Sequence, residues 1–252
     1  MTKISAVIIA FNEEKNIERC ITSALKVCDE VVVIDSYSTD NTAKISEACG
    51  AKVVKQIWKG FAATKNIGNQ IASHGFILSM DADEELSPQL IKSITKIKEN
   101  LNSAYSFNRL NFYRNIPVRH CGWYPDKKIR LFPKEACTWQ GEYVHEKLMV
   151  DPQLKITHLK GDLYHHTIQT IEQHRATIEK YASLAANELA IKKKSISKFK
   201  PYLSYLVMFL KKYFLQLGIA EGANGLYISH FSALSRYLRY KKAIALQRSS
   251  NN

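Results

Sequence analysis

Phe76-Ile-Leu-Ser-Met-Asp-Ala-Asp-Glu-Glu-Leu-Ser-Pro88 is the stretch on which the fold turns. Phe76 to Met80 reads as a strand buried on both faces. Asp81-Ala82-Asp83 follows at once. Ser87-Pro88 then supplies an N-cap and a proline at the first helical position, with a helix running to about Asn100. An apolar strand that ends in carboxylates and passes into a capped helix is a repeating unit of α/β sheets, which carry ligands at their strand ends.

The same unit recurs toward the N-terminus. Ile4 to Ala10, Glu30 to Asp35 and Lys52 to Lys55 are apolar runs that read as strands. Between them a helix is expected from about Glu14, with Ile17, Cys20, Ile21, Ala24 and Leu25 on one face. A second, capped by Ser38, Thr39 or Asp40, ends at Gly50, and a third covers Thr64 to Ala72. This alternation predicts an α/β fold: a doubly wound, mostly parallel sheet with helices on both faces. Asn12-Glu13, Asp35-Ser36 and Asp81-Ala-Asp83 fall at strand ends and would meet in one crevice. No GxGxxG or GxxxxGK[ST] stretch is present, which excludes a dinucleotide fingerprint and a P-loop.

Residues 104–165 mix aromatics, basic residues and prolines, and read as strands and loops that complete the sheet. From about Thr170 the pattern is helical, in segments Glu172 to Lys194, Lys200 to Leu217 and Ala223 to Lys242. The expected division is a catalytic domain over 1–168 and a basic helical extension over 169–246.

The 252 residues are 46% hydrophobic and 23% charged, ordinary for a globular chain, which excludes disordered and fibrous classes. The five cysteines are scattered without zinc-ligand spacing and read as free thiols in a reducing cytosol. The opening Met-Thr-Lys-Ile-Ser has no signal-peptide architecture. The net charge of +13 is concentrated late: between Lys192 and Lys242 eleven basic residues face one acid, Glu221. Such a region attracts an anionic partner. No zinc, RRM or homeodomain signature accompanies the charge, so a nucleic-acid partner is not expected. Phe209, Tyr213, Phe214 and Leu217 form an apolar stripe beside Lys211 and Lys212. With the longest apolar run far short of the ~20 residues that span a bilayer, the expectation is a cytoplasmic protein held peripherally on an anionic membrane surface.

Asp81 and Asp83 carry the sharpest chemistry. In extended backbone, residues i and i+2 point the same way, so two carboxylates would face one spot and repel unless a cation stands near them. A divalent ion bridging a diphosphate would relieve that repulsion and shield a departing nucleoside diphosphate. Ala-Phe-Asn-Glu-Glu (10–14), Val-Ile-Asp-Ser-Tyr-Ser-Thr-Asp (33–40), Lys-Asn-Ile-Gly (65–68) and Met-Asp-Ala-Asp-Glu (80–84), in that order, resemble the donor-site motifs of family 2 glycosyltransferases of the GT-A fold. Gly-Trp-Tyr-Pro-Asp-Lys-Lys-Ile-Arg-Leu-Phe (122–132), Val-His-Glu (144–146) and Gly-Asp-Leu-Tyr-His (161–165) resemble the bacterial lipopolysaccharide-core β-glycosyltransferase branch.

The resemblance implies an inverting enzyme that moves a hexose, glucose first among them, from a UDP-sugar to a saccharide or lipid-linked saccharide acceptor such as lipopolysaccharide core. It places Ala10, Phe11 and Asn12 around uracil and ribose, Glu13 at the ribose hydroxyls and Asp35 on the base. Lys65 would reach the base or diphosphate, and Asp81 would hold ribose or sugar hydroxyls. Asp83 would ligate Mg²⁺ or Mn²⁺, with His165 or His145 as further candidates. Asp126 is the general base it implies, although Pro125 stands where related enzymes have a glutamate; Glu146 is the runner-up. Read from the residues alone, Asp35 caps the Ser38–Thr42 turn, Lys65 is an exposed helix lysine and Asp126 pairs with Arg130. Trp123 and Tyr124 stack on an acceptor sugar or anchor a loop, and His166, His174 and His230 are structural. A nucleotidyltransferase that makes nucleotide sugars is the alternative. Such enzymes carry a glycine- and arginine-rich loop where this chain has Phe-Asn-Glu-Glu.

Overall fold

The computed structural model describes residues 2–141, 146–191 and 196–249. The chain divides into two compact units, Met1–Arg109 with Asp126–His165, and Leu110–Pro125 with His166–Asn252. The segment 110–125 thus belongs to the same unit as the C-terminal helices.

The first unit is built on β1 (Ile4–Ala10), α1 (Ile17–Ala24), β2 (Glu30–Asp35), α2 (Thr42–Ala48), β3 (Lys52–Lys55), α3 (Phe61–Ile71), β4 (Phe76–Asp81), β5 (Glu84–Leu86) and α4 (Pro88–Ile97). β6 (Ala104–Tyr113) follows. After the two-residue β7 (Ile116–Pro117) come β8 (Asp126–Pro133), β9 (Cys137–Gln140), β10 (Lys147–Val150) and β11 (Ile156–Ile168). β9 and β10 pair as a separate antiparallel ribbon. The large sheet runs in the order β3-β2-β1-β4-β8-β6-β11-β5.

The sheet is mixed. β3, β2, β1 and β4 are parallel, as the strand–helix alternation predicts. β8 lies antiparallel to β4 and to β6, and β5 antiparallel to β11, so the parallel pattern stops at β4. No helix intervenes between β6 and β8 to return the chain to the same edge, and without a crossover consecutive strands pair antiparallel.

Period two fills both faces of β1. Ile4, Ala6 and Ile8 pack with Ile17, Cys20 and Ile21 of α1 and with Leu90 and Ile94 of α4. Val7 faces the other way, toward Ala62, Ile77, Phe132 and Trp139. α3 approaches β1 so closely that a Cβ at Gly68 would overlap Val7 Cγ1, which explains the glycine in mid-helix. Ser87 Oγ accepts from Leu90 N at 3.2 Å, the N-cap read from the sequence. Two starts differ from expectation. α1 begins at Ile17, because Glu13 O takes Asn16 N and Ile17 N in a turn. α3 begins at Phe61, after Gly60 at φ 90° opens it.

In the second unit, α5 (Ile171–Ile191), α6 (Lys200–Leu210) and α7 (Gly222–Ser249) carry the helical pattern; a π-helical turn, Lys211–Leu215, extends α6. Tyr113, Val118, Cys121, Ile168 and Ile228 form the local core, with Trp123 against it. Trp123 therefore anchors its loop, and Tyr124 lies under the Arg119 guanidinium at 5.0 Å. His174 is buried and meets the Tyr113 hydroxyl at 3.2 Å, and His230 meets that of Tyr205 at 2.7 Å. Of the stripe read from the sequence, Phe214 and Leu217 are exposed, while Phe209 and Tyr213 are half-buried and stacked on each other.

Candidate donor and cation site

The ends of β1 and β2 are tied into one polar lip. Ala10 is buried, Phe11 is 56% exposed, and Asn12 sits at φ 55°, a left-handed conformation that asparagine tolerates. Asn12 N donates to Ser38 Oγ at 2.9 Å, and Asn12 Oδ1 accepts from Thr39 N at 2.8 Å. Asp35, fully buried, accepts Ser38 N at 3.2 Å on each carboxylate oxygen. The turn-capping geometry read from the sequence is therefore present. Glu13 N donates to Thr42 Oγ1 at 2.8 Å. Burial raises the Glu13 acid; the hydrogen bond from Asn16 opposes this, and the charges of Asp83 and Asp40 add to it. Phe11 and Tyr37 both present exposed rings on this lip.

At the end of β4 the acids are met by cations from elsewhere in the sheet and from α3. Asp81 closes β4, and Ala82-Asp83 form a turn into β5 instead of continuing the strand. The two carboxylates consequently take separate partners. Lys65 Nζ lies 2.9 Å from Asp81 Oδ1 and 3.4 Å from Glu146 Oε1, and 4.6 Å from the centre of the Trp139 ring. Lys65 is 1% exposed, so the reading of an ordinary surface lysine is corrected. A helix-borne amine this deep is stable only where carboxylates and an aromatic face replace its water.

Arg130 joins from β8. Its Nη2 lies 2.8 Å from Asp81 Oδ2 and 3.0 Å from Glu84 Oε1. Burial works to raise the Asp81 acid; Lys65 and Arg130 overcome it and hold the carboxyl well below the usual carboxylate range. Burial raises the Glu84 acid, against Arg130 and with Asp81 adding. The repulsion expected between the acids of 81–84 is thus answered by the protein's own cations at two of them. Among the described residues, Arg130 Nε and Nη1 have no hydrogen-bond partner.

Asp126, the candidate base, opens β8. Arg109 of β6 reaches Asp126 Oδ2 through Nη2 at 2.8 Å and Nε at 3.0 Å, and Lys128 Nζ lies 3.1 Å from Oδ1. Asp126 pairs with these two, not with Arg130. Four residues along a strand separate side chains by about 13 Å, whereas the i,i+4 adjacency assumed from the sequence belongs to helices. Arg109 Nη1 also lies 3.7 Å from Glu84 Oε1, so Asp126, Arg109, Glu84, Arg130, Asp81, Lys65 and Glu146 form one charge-alternating chain.

Asp83 stands outside that chain. Its Oδ2 lies 3.2 Å from His165 Nε2 on β11, with both side chains partly accessible. Burial disfavours a charged His165, but the hydrogen bond and charge of Asp83, with Glu84 behind them, outweigh this and raise its pKa. A carboxylate beside an imidazole suits Mn²⁺, and the carboxylate suits Mg²⁺. Among the described residues no group of three His, Cys, Asp or Glu donors is gathered for a metal. Asp83 and His165 are the donors here whose chemistry would fit such a cation. His145 lies outside the described residues.

Sequence reasoning missed Glu84, Arg109 and the placement of Arg130. The signal was available: a run of acids at 81–85 needs compensating cations, and Ile-Arg-Leu-Phe puts an arginine within an apolar strand.

A sequence model of the family described as glycosyl transferase family 2 matches residues 5–142. A glycosyltransferase of Rickettsia typhi, described as uncharacterized, is 32% identical over 263 aligned residues, which cover 100% of this chain and 90% of the relative. The lipopolysaccharide core biosynthesis glycosyltransferase LpsC of Rhizobium meliloti is 24% identical over 94% of this chain and 93% of LpsC. Among solved structures, glucosyl-3-phosphoglycerate synthase of Mycobacterium tuberculosis with Mn²⁺, UDP-glucose and phosphoglyceric acid is 26% identical. That match has a TM-score of 0.36 and covers 45% of this chain and 44% of that one.

Proposed function

Given that this chain belongs to glycosyl transferase family 2 and is a glycosyltransferase, we propose that it transfers a hexose, glucose being the first to test, from a UDP-sugar to a saccharide acceptor with inversion at C1. The observation that carries this reading is the Asp83–His165 pair at the β4 end. It has two metal-competent donors of its own and no third among the described residues, and it lies beside a buried acid–base chain.

Ala10, Phe11, Asn12, Glu13 and Asp35 hold the uridine at the lip of β1 and β2. Lys65 and Asp81 border the diphosphate and sugar. Asp83 and His165 would hold Mg²⁺ or Mn²⁺, which when bound shields the charge of the departing diphosphate. Asp126 takes the proton from the acceptor hydroxyl; that oxygen bonds to C1 as the C1–phosphate oxygen bond breaks and UDP leaves with the electron pair. Arg109 and Lys128 hold the Asp126 carboxylate in place. Glu146, 3.4 Å from Lys65, is the second candidate for that role. The end-to-end similarity to LpsC favours a lipopolysaccharide-core or related surface-glycan acceptor.

The test is turnover of radiolabelled UDP-glucose with and without Mn²⁺, in the wild type and in Asp83→Ala. The reading expects metal-stimulated release of UDP that the substitution abolishes. Full activity in Asp83→Ala would remove the cation site, and pyrophosphate release from UTP plus a sugar phosphate would point to nucleotidyl transfer instead.

A further inference from the structure

α6 buries one face and leaves the other uncovered. Pro201 is buried, Tyr205 turns toward α7 through the His230 contact, and half-buried Phe209 stacks on Tyr205. On the opposite side, Phe199 (81% exposed), Leu203, Leu206 (53%), Val207 (57%) and Leu210 are spaced i, i+4, i+7, i+8 and i+11, the pattern of a continuous helix stripe. Phe214 and Leu215 of the π-helical turn prolong it, the latter 81% exposed. Soluble surfaces rarely leave so many large apolar side chains contiguous and bare.

The charge beside this face is one-sided. Residues 196–249 hold nine lysines and arginines against one acid, Glu221. Glu221 Oε1 is already engaged, accepting from Arg119 N at 2.8 Å, His120 N at 2.9 Å and His120 Nδ1 at 2.7 Å. Lys212 turns inward to Cys121 O, while Lys198, Lys200 and Lys211 stay exposed at the two ends of the stripe.

We propose that the Phe199–Leu210 face of α6 is an interfacial anchor: it lies in the surface of an anionic lipid bilayer, the apolar stripe among the upper acyl chains and Lys198, Lys200 and Lys211 on the lipid phosphates. An amphipathic helix with lysines flanking an apolar face gains from both acyl burial and anionic headgroups. A second copy of the chain is the other way to cover the stripe. An isologous pair would bring the same lysines of both copies together with no acid opposite them, so the charge favours lipid. No single described helix is long and apolar enough to cross a membrane; α6 with its π turn and α7, bent by 71° at the break between them, reach that length and composition only as a pair, and the carbonate wash below separates a surface anchor from such an insertion. This inference does not depend on the donor or acceptor.

The test is flotation of the purified full chain with unilamellar vesicles of phosphatidylcholine alone or with 30% phosphatidylglycerol. Binding is expected only with the anionic lipid, weakened at 0.5 M NaCl and reversed by alkaline carbonate. The double substitution Leu206→Glu and Val207→Glu, both at exposed positions, should lower vesicle affinity by about tenfold or more with an unchanged melting curve. Lys198→Glu with Lys211→Glu should weaken it by a similar factor. Three results overturn the proposal: no anionic-vesicle binding by the wild type, wild-type binding by both double variants, or resistance to carbonate. A dimer in sedimentation that the Leu206/Val207 variant dissolves, with vesicle binding unaffected, assigns the face to a second copy instead.

Discussion

The two compact units use the same residue types in opposite ways. In the first, Lys65 and Arg130 are almost completely buried, and each bridges two carboxylates. In the second, Lys198, Lys200 and Lys211 are exposed, while Phe199, Leu203, Leu206 and Val207 lie on the outside. The contrast shows that the net charge of +13 does not reveal which cations are buried against acids and which are exposed. The cations that matter at the strand ends are those cancelled by acids. The excess belongs to the second unit, where acids are few. Buried pairs are held by geometry and are costly to break; exposed charge acts through its field and is screened by salt.

The contrast is tested most strongly at Arg130. Arg130→Met should destabilise the protein by about 3–5 kcal/mol in urea unfolding, because Glu84 and part of Asp81 lose their counter-charge in a buried place. Lys198→Met, at an exposed position, should change stability by less than about 0.5 kcal/mol. Equal effects would erase the distinction between the two kinds of lysine and arginine.

Asp126→Asn keeps the shape of the carboxylate and removes its capacity to take a proton. It should lower kcat by about 10²–10⁴-fold while UDP binding is retained. If Glu146→Gln gives that loss and Asp126→Asn does not, the roles of the two are exchanged.

A smaller effect separates the units by pH. Burial of His174 against Tyr113 lowers its pKa from the usual 6.5 to about 4. A histidine kept neutral in the fold binds its proton more readily when unfolded. Its contribution is intact above pH 6.5 and is lost as pH falls from there toward 4. The difference amounts to about 3 kcal/mol in full. His174→Gln should flatten the acid side of the stability–pH curve of the helical unit by that order, read as the melting temperature between pH 7 and 4.5. An unchanged curve would show that His174 does not govern it.

A further, modest loss of stability is expected at Gly68→Ala, where the added methyl meets Val7 Cγ1 and Ile34 Cγ1. Overpacking there should cost about 1–3 kcal/mol. A neutral result would mean that α3 can lift off β1 more easily than the contact suggests.

The parallel half of the sheet was legible because β1, β2 and β4 are buried on both faces, and their apolar runs stop at polar residues. The antiparallel half was not, because Tyr105 to Arg109 and Asp126 to Leu131 mix charged and apolar residues whose partners are set by register, not by local pattern. At the site, the acids were visible as a run, and Lys65 as a motif residue. Their pairing was hidden because the partners lie far apart in sequence: 16 positions for Lys65 and Asp81, 49 for Arg130 and Asp81. Asp126 was misassigned a partner because helical spacing was applied to a strand. On α6 both apolar faces look alike in sequence; the Tyr205–His230 contact decides which one turns inward.

Calorimetric titration of UDP into the protein, with and without Mn²⁺, tests the centre of the account most directly. UDP should bind at least about tenfold more tightly with Mn²⁺, and Asp83→Asn should remove the metal's contribution while leaving metal-free binding in place. Identical UDP affinity with and without Mn²⁺ in the wild type, or an undiminished metal effect in Asp83→Asn, would contradict it.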